Sequence, residues 1–400
     1  MNALDVGFVI AGFVLLFLGG ESLVRGASTI AIRVGISPLV IGLVVVSGAT
    51  SAPELAVTTG AVLSGEPDLA LGNVVGTNIA NILLILGLSA AIGPLLIQRQ
   101  LVRFDLPLLL GLSGLFFLLS LDGAISRFDG TLLLLGLVFH VVTSLIIGRR
   151  SANSPGHTRA PLPLNSTPVP LWLAALLLLL GSGLLVAGSQ LLVTGAVSIA
   201  TNLGISSLVV GLTVVAIGTS LPELATALVA IRRGERDMAV GNIVGSNLFN
   251  IGLVLGLPAM IFDGGIPVPP AAIALDIPLM LAATLALVPL AFTGFVFARW
   301  EGILFVALYL AYLLYVVLAS TEHDAGQGFT TIMLWFVLPL VAITLVAVTA
   351  YEIGLVRGRR DPKSREEQRT RPPRAGSESS ALPPHWHDGR RRSRTWTQSR

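Results

Sequence analysis

Two stretches of this chain are near-copies, and each carries a glutamate inside an apolar segment. The first runs from Leu39 to Leu88, LVIGLVVVSGATSAPELAVTTGAVLSGEPDLALGNVVGTNIANILLILGL; the second runs from Leu208 to Leu257, LVVGLTVVAIGTSLPELATALVAIRRGERDMAVGNIVGSNLFNIGLVLGL. They align without a gap at an offset of 169 residues, with 28 of 50 positions identical, and Glu54 corresponds to Glu223. A carboxylate at the middle of a membrane helix costs about 2.5–3.5 kcal/mol on insertion scales. Carrying that cost twice, at matched positions, points to a cation site shared by two halves of a transporter.

That reading needs a membrane, and composition supplies it. The chain is 54% hydrophobic and 12% charged, where soluble domains carry about 25% charged residues, and its mean hydropathy is +0.85. The absence of cysteine excludes disulfides and thiolate metal sites. The first apolar run has no basic region before it and reads as a retained span. At about 20 apolar residues per crossing, spans are expected near 5–28, 37–63, 69–96, 104–121, 130–148, 169–196, 207–231, 238–262, 271–296 and 302–319. An eleventh is expected at 330–353. With alternating spans, Arg33, Arg99, Arg103, Arg149, Arg150, Arg232, Arg233, Arg236 and Arg299 fall on one side, and Arg127 alone falls on the other. The positive-inside bias then places the N-terminus outside and the C-terminus in the cytoplasm; the expected location is the inner (plasma) membrane.

The duplication extends beyond the two motifs. Residues 19–37 match 188–206, Asp105-Leu106-Pro107 matches Asp276-Ile277-Pro278, and Arg127-Phe128-Asp129-Gly130 matches Arg299-Trp300-Glu301-Gly302. The expected fold is all-α: two five-helix repeats, 1–150 and 169–320, joined by a polar linker at 151–168. Five is odd, so the second repeat enters the membrane in the opposite sense, an inverted topology. The eleventh helix and a basic, disordered tail at 356–400 lie outside the duplication.

Proline has no N–H, so Pro53 leaves the Ala49 carbonyl without its helical donor, and Pro222 does the same for Gly218. The break is expected to expose backbone carbonyls, including those of Ser47 and Ala216, which suit hard cations. Thr50 and Ser51 share a helix face with Glu54, as Thr219 and Ser220 do with Glu223. The next helix of each motif carries a polar stripe: Asn73, Thr77 and Asn81 in the first, Asn242, Ser246 and Asn250 in the second. Gly72, Gly76, Gly241 and Gly245 are small enough to let helices approach closely. Glu21 is expected to pair with Arg25, Asp105 and Asp276 to cap helices, and His140 to serve packing or to lie at the interface. The proposed ligands are all oxygen donors, which favours calcium, sodium or protons over zinc or copper. Two carboxylates balance one calcium or two monovalent cations. A site that must be neutral to cross the membrane produces antiport.

The pattern Ser/Thr-x-Pro-Glu followed by GN-x-x-G-[ST]-N-x-x-N, present twice, resembles the alpha repeats of the cation/calcium exchanger superfamily, in particular prokaryotic sodium/calcium exchangers. The resemblance covers residues 5–319. It implies a five-plus-five helix fold with calcium and sodium sharing sites between helices 2, 3, 7 and 8. It makes Glu54 and Glu223 the central ligands and gives calcium further oxygens from Thr50 and Thr219. Ser51 and Thr77 would line one sodium site, Ser220 and Ser246 the other, completed by the Ser47 and Ala216 carbonyls. The chain departs from the pattern at Ala49, where glycine is usual. It departs also at Asn250, where many sodium-using relatives carry aspartate, and in the added eleventh helix.

The resulting expectation is a secondary active transporter, not an enzyme, exchanging calcium for sodium by alternating access, with membrane lipid around it. No cofactor, nucleic acid or obligate protein partner is implied. A calcium/proton antiporter using the same two glutamates is the alternative. A cation channel is a third reading, disfavoured because the pseudo-symmetry lies within one chain.

Overall fold

The computed structural model describes residues 3–152, 170–203, 216–292, 295–320 and 350. Every described element lies in one compact unit, Met1–Ile353. The second unit, Gly354–Arg400, lies outside the described residues, as do most of the linker and the expected eleventh helix.

The chain forms α1 (Ala3–Val34), α2 (Pro38–Thr50), α3 (Ala52–Leu63), α4 (Pro67–Ile92), α5 (Leu101–Ser120) and α6 (Arg127–Ala152). The second half forms α7 (Leu171–Asn202), α8 (Ala216–Thr219), α9 (Leu221–Arg232), α10 (Arg236–Ile261), α11 (Ile277–Phe292) and α12 (Arg299–Ser320). Among the described residues seven helices are long and apolar enough to cross a membrane, or eight if α2 and α3 form one bent span. Their positions agree with the expected spans. Burial sorts them: 72% and 78% of the apolar stretches of α4 and α10 are buried, against 22–28% for α1, α6, α7 and α12. The helices carrying the asparagine stripes are therefore the core, and the long outer helices present leucine-rich faces outward, as lipid-facing helices must.

Glycine spacing sets the outer packing. Gly12, Gly19 and Gly26 recur every seventh residue in α1, and Gly181, Gly188 and Gly195 do the same in α7. A Cβ on Gly12 would meet the Gly188 carbonyl at 2.8 Å, on Gly19 the Gly181 carbonyl at 2.9 Å, and on Gly195 the Asp5 carbonyl at 2.6 Å. The two helices thus run antiparallel with their backbones in contact, which only glycine permits.

Short strands tie the halves together. Leu95–Leu96 (β1) pairs antiparallel with Val296–Phe297 (β4), and Ala124–Ile125 (β2) with Ile266–Pro267 (β3). Two helix starts are capped alike: Asp129 Oδ2 accepts the Ser126 N–H at 2.8 Å, and Glu301 Oε2 accepts the Ala298 N–H at 2.7 Å.

Two sequence expectations need correction. Glu21 pairs with Arg233, through Arg233 Nε at 3.0 Å and a second guanidinium contact, rather than with Arg25. The packing of α1 against α9 brings the planar fork of Arg233 to both carboxylate oxygens. Asp105 makes no capping bond. Its Oδ1 instead lies 3.1 Å from both His140 Nε2 and Ser144 Oγ, all three side chains being fully buried. His140 accordingly joins α5 to α6 and does not lie at an interface. Gly241 and Gly245 approach α2 closely, as expected; the counterpart approach of Gly72 and Gly76, to residues within 204–215, falls outside the described residues.

Candidate cation site

The helix break forms as proline chemistry dictates. Proline cannot donate within a helix but is tolerated in its first turn. In both halves one helix ends, a serine takes a non-helical conformation (Ser51 φ −81°, ψ 1°; Ser220 φ −87°, ψ 2°), and a new helix starts with Pro53 or Pro222 in its first turn. The axis between α2 and α3 bends by 41°. The glutamate follows immediately, in the first turn of the new helix, where the backbone dipole favours negative charge.

The freed carbonyls fare differently. Gly218 O accepts the Ser189 hydroxyl of α7 at 2.5 Å. The position equivalent to Ser189 in the first half is Gly20, which has no hydroxyl to offer Ala49. The Ser47 carbonyl is not left exposed. It accepts the Ser51 N–H at 2.9 Å and lies 3.3 Å from Thr50 Oγ1, because Ser51, unlike Pro53, keeps its donor. Ala216 is the first described residue of its segment, and only its backbone is described.

Glu54 and Glu223 are both buried (1% and 0% exposed), and their charges lie close enough to interact. Among the described residues neither carboxylate makes a hydrogen bond of good geometry through either oxygen, and the Thr50 side chain of the first half lies beside the Glu223 carboxylate. Ser51 Oγ, Ser220 Oγ, Asn81 Oδ1 and Asn250 Oδ1 are likewise buried and unpartnered. Thr50 Oγ1 lies 3.2 Å from Asn242 Oδ1 and 3.3 Å from Ser246 Oγ, so the break of one half touches the stripe of the other. Asn73 instead serves its own half, donating to Thr58 Oγ1 at 3.0 Å and to the Glu54 carbonyl at 3.4 Å. Thr77 is buried (2% exposed), and Thr219 ends α8.

Two features go beyond what the sequence shows, although Asn78 and Asn247 are already candidates there to line the site. Asn78 and Asn247 bind the stripe residues of the opposite half: Asn81 Nδ2 donates to Asn247 Oδ1 at 3.0 Å, and Asn250 Nδ2 to Asn78 Oδ1 at 3.2 Å. These two bonds are counterparts under the 169-residue offset, a signal already present in the repeat. The second feature is a wide π turn at Ala80–Leu86 and again at Asn250–Leu255. Such turns shift a side chain's direction and concentrate at functional sites.

The orphaned oxygens decide what fits. An ionised carboxylate buried without a partner costs several kcal/mol. The four carboxylate oxygens, two serine hydroxyls and two amide oxygens named above are all hard donors, and calcium takes about 6–8 oxygen ligands. No cluster of three or more His, Cys, Asp or Glu side chains occurs among the described residues, which leaves transition metals without their usual ligands.

Comparison with known proteins agrees with this chemistry. The family model described as sodium/calcium exchanger protein matches residues 4–146 and 173–318. The putative antiporter CaxA of Alkalimonas amylolytica is 42% identical over 283 residues, spanning 70% of this chain and 87% of that protein. Sodium/calcium exchanger MaX1 of Methanosarcina acetivorans is 31% identical over 349 residues, spanning 78% of this chain and 98% of that protein. Solved structures of the sodium-calcium exchanger NCX_Mj soaked with Na+ and Sr2+ match at 32% identity with a TM-score of 0.65, covering 78% of this chain and 97% of theirs.

Proposed function

The chain belongs to the sodium/calcium exchanger protein family, and on that premise we propose that it exchanges calcium for sodium by alternating access, with Glu54 and Glu223 binding the two ions in competition. The observation that carries this reading is the buried carboxylate pair, none of whose oxygens makes a well-formed hydrogen bond among the described residues. Such a pair requires positive charge from outside. One calcium neutralises it, and so do two sodium ions. Empty and ionised, it would hold two negative charges, and moving that charge through a low-dielectric barrier is costly. The empty protein therefore resists reorientation, and each crossing carries a cation.

Ser51 and Ser220 supply neutral oxygens beside the carboxylates, and Asn81 and Asn250 supply amide oxygens. Thr50, Thr219, Thr77 and Ser246 line the flanks where monovalent ions sit. Ala216 contributes through its backbone, whereas the Ser47 carbonyl is already engaged by the Ser51 N–H. The relative MaX1 is itself named a sodium/calcium exchanger, and NCX_Mj structures were obtained with sodium and strontium present. Both support sodium as the counter-ion. The protein sits in the inner membrane with its N-terminus outside, and its two halves enter the membrane in opposite senses.

Proton coupling through the same site is the second reading. It is favoured by the absence of a third carboxylate: Asn250 and Asn81 are both amides, so two charges are all that the site offers. Calcium-45 uptake into proteoliposomes separates the two. An imposed sodium gradient drives uptake at symmetric pH under the first reading. Uptake that follows only a pH gradient, and ignores sodium, overturns it in favour of the second.

A further inference from the structure

Asparagine presents either an oxygen or an NH2 group to a ligand, depending on a half-turn of its amide. A cation binds one face and is repelled by the other. A site built on Asn81 and Asn250 therefore needs something to fix which way each amide points. Four buried asparagines, Asn78 and Asn81 from one half and Asn247 and Asn250 from the other, supply it. Asn81 spends its NH2 on Asn247 Oδ1 at 3.0 Å, and Asn250 spends its NH2 on Asn78 Oδ1 at 3.2 Å. What remains is an unpartnered oxygen on Asn81 and another on Asn250, among the described residues. The anchors are themselves anchored. Asn247 Nδ2 donates to the Asn78 carbonyl at 3.4 Å, and Asn78 Nδ2 reaches Met280 Sδ at 3.5 Å. All four side chains are at most 1% exposed, so water does not compete for these bonds.

We propose that Asn78 and Asn247 are positioning residues of the cation site, each holding the amide of the opposite half with its oxygen free for the ion. Each half thereby orients a ligand of the other, and neither half-site is complete alone. The inference rests on the site reading above. Its rival is that the four amides simply glue helices together.

The test is a set of variants of the full chain in proteoliposomes, read as KM and Vmax for calcium together with the calcium-induced rise in melting temperature. Asn78→Leu and Asn247→Leu remove the acceptor at similar volume. Each is expected to raise the calcium KM about tenfold, more than it lowers Vmax, and to shrink the calcium-induced rise. Asn78→Asp and Asn247→Asp keep an acceptor oxygen and are expected to bring KM back to within about threefold of the parent. The decisive comparison is non-additivity. In an Asn250→Leu background, Asn78→Leu adds nothing to KM if it acts through Asn250, whereas glue adds its own effect. Where a leucine variant does not accumulate as folded protein, the alanine variant carries the same expectation. Unchanged KM in the acceptor-less variants, or additive effects in the cycle, overturns the positioning role. Glu223→Gln separates this failure from failure of the site itself. If it abolishes calcium transport while the asparagine variants bind normally, only the positioning role falls.

Discussion

Glu54 and Glu223 each bury two carboxylate oxygens that make no well-formed hydrogen bond among the described residues. Glu54→Gln or Glu223→Gln keeps shape and removes one charge. Each is expected to lose about 3 kcal/mol of cation binding, on the order of 100-fold in apparent affinity. Calcium-45 exchange checks this, with protein yield and monodispersity unchanged as the control. Thr226 gives the opposite prediction. Its hydroxyl is buried and unpartnered among the described residues, and the equivalent residue of the first half is Val57. Thr226→Val removes a hydroxyl that contributes no bond, so the melting temperature is expected to hold or rise slightly while exchange continues. A fall in calcium affinity would instead enrol Thr226 among the ligands. At this scale the sequence was readable for the charged residues and less so for the amides. A glutamate in an apolar run is costly enough to announce itself. The partners of Asn78 and Asn247 emerge only when two helices from different halves are set side by side.

The breaks in the site helices were legible in sequence, and the wide turns were not. Proline fixes φ and removes a donor, so Pro53 and Pro222 mark the new helix starts unambiguously. No residue type marks a π turn, and Ala80–Leu86 and Asn250–Leu255 read locally as ordinary helix. The brace on the second break was equally hidden, because Ser189 lies in a helix whose small residues suggest only close packing. Its hydroxyl meets the very carbonyl that Pro222 leaves without a donor. Ser189→Ala is therefore expected to destabilise the protein by about 1–3 kcal/mol, seen as a lower melting temperature in detergent. The first half, with Gly20 at that position, lacks this contact. The two breaks are alike in backbone conformation and differ in how they are held. A Ser189→Ala variant that melts with the parent would show that the carbonyl is satisfied some other way.

Across the whole molecule the strand pairs fix how the halves meet. β1 pairs with β4 and β2 with β3, so each pair joins one half to the other. One helix, α5, lies between β1 and β2, and one, α11, lies between β3 and β4. If each crosses the membrane once, β1 and β4 share one side and β2 and β3 the opposite side. The two helices then run in opposite directions, as a repeat of five helices would require. The arginine distribution reaches the same grouping separately, with Arg99 and Arg299 beside β1 and β4. Arg127, the one arginine assigned to the far side, contacts Asp263, which the same count places there. Because the chain has no cysteine, introduced thiols report without background. Leu96 and Val296 face each other in register, and opposed residues of an antiparallel pair lie about 4.5–5.5 Å apart at Cα, within disulfide range. With a protease site placed in 151–168, the pair Leu96→Cys and Val296→Cys is expected to keep the cleaved halves joined until reduced. Leu96→Cys with Val268→Cys, drawn from the opposite side, is expected to leave them separate. An impermeant maleimide added to sealed vesicles is expected to reach Leu96→Cys and Ala124→Cys from opposite faces. Labelling of both from one face would mean that α5 does not cross, and the proposed inverted arrangement, with Glu54 and Glu223 in halves of opposite sense, would lose its basis.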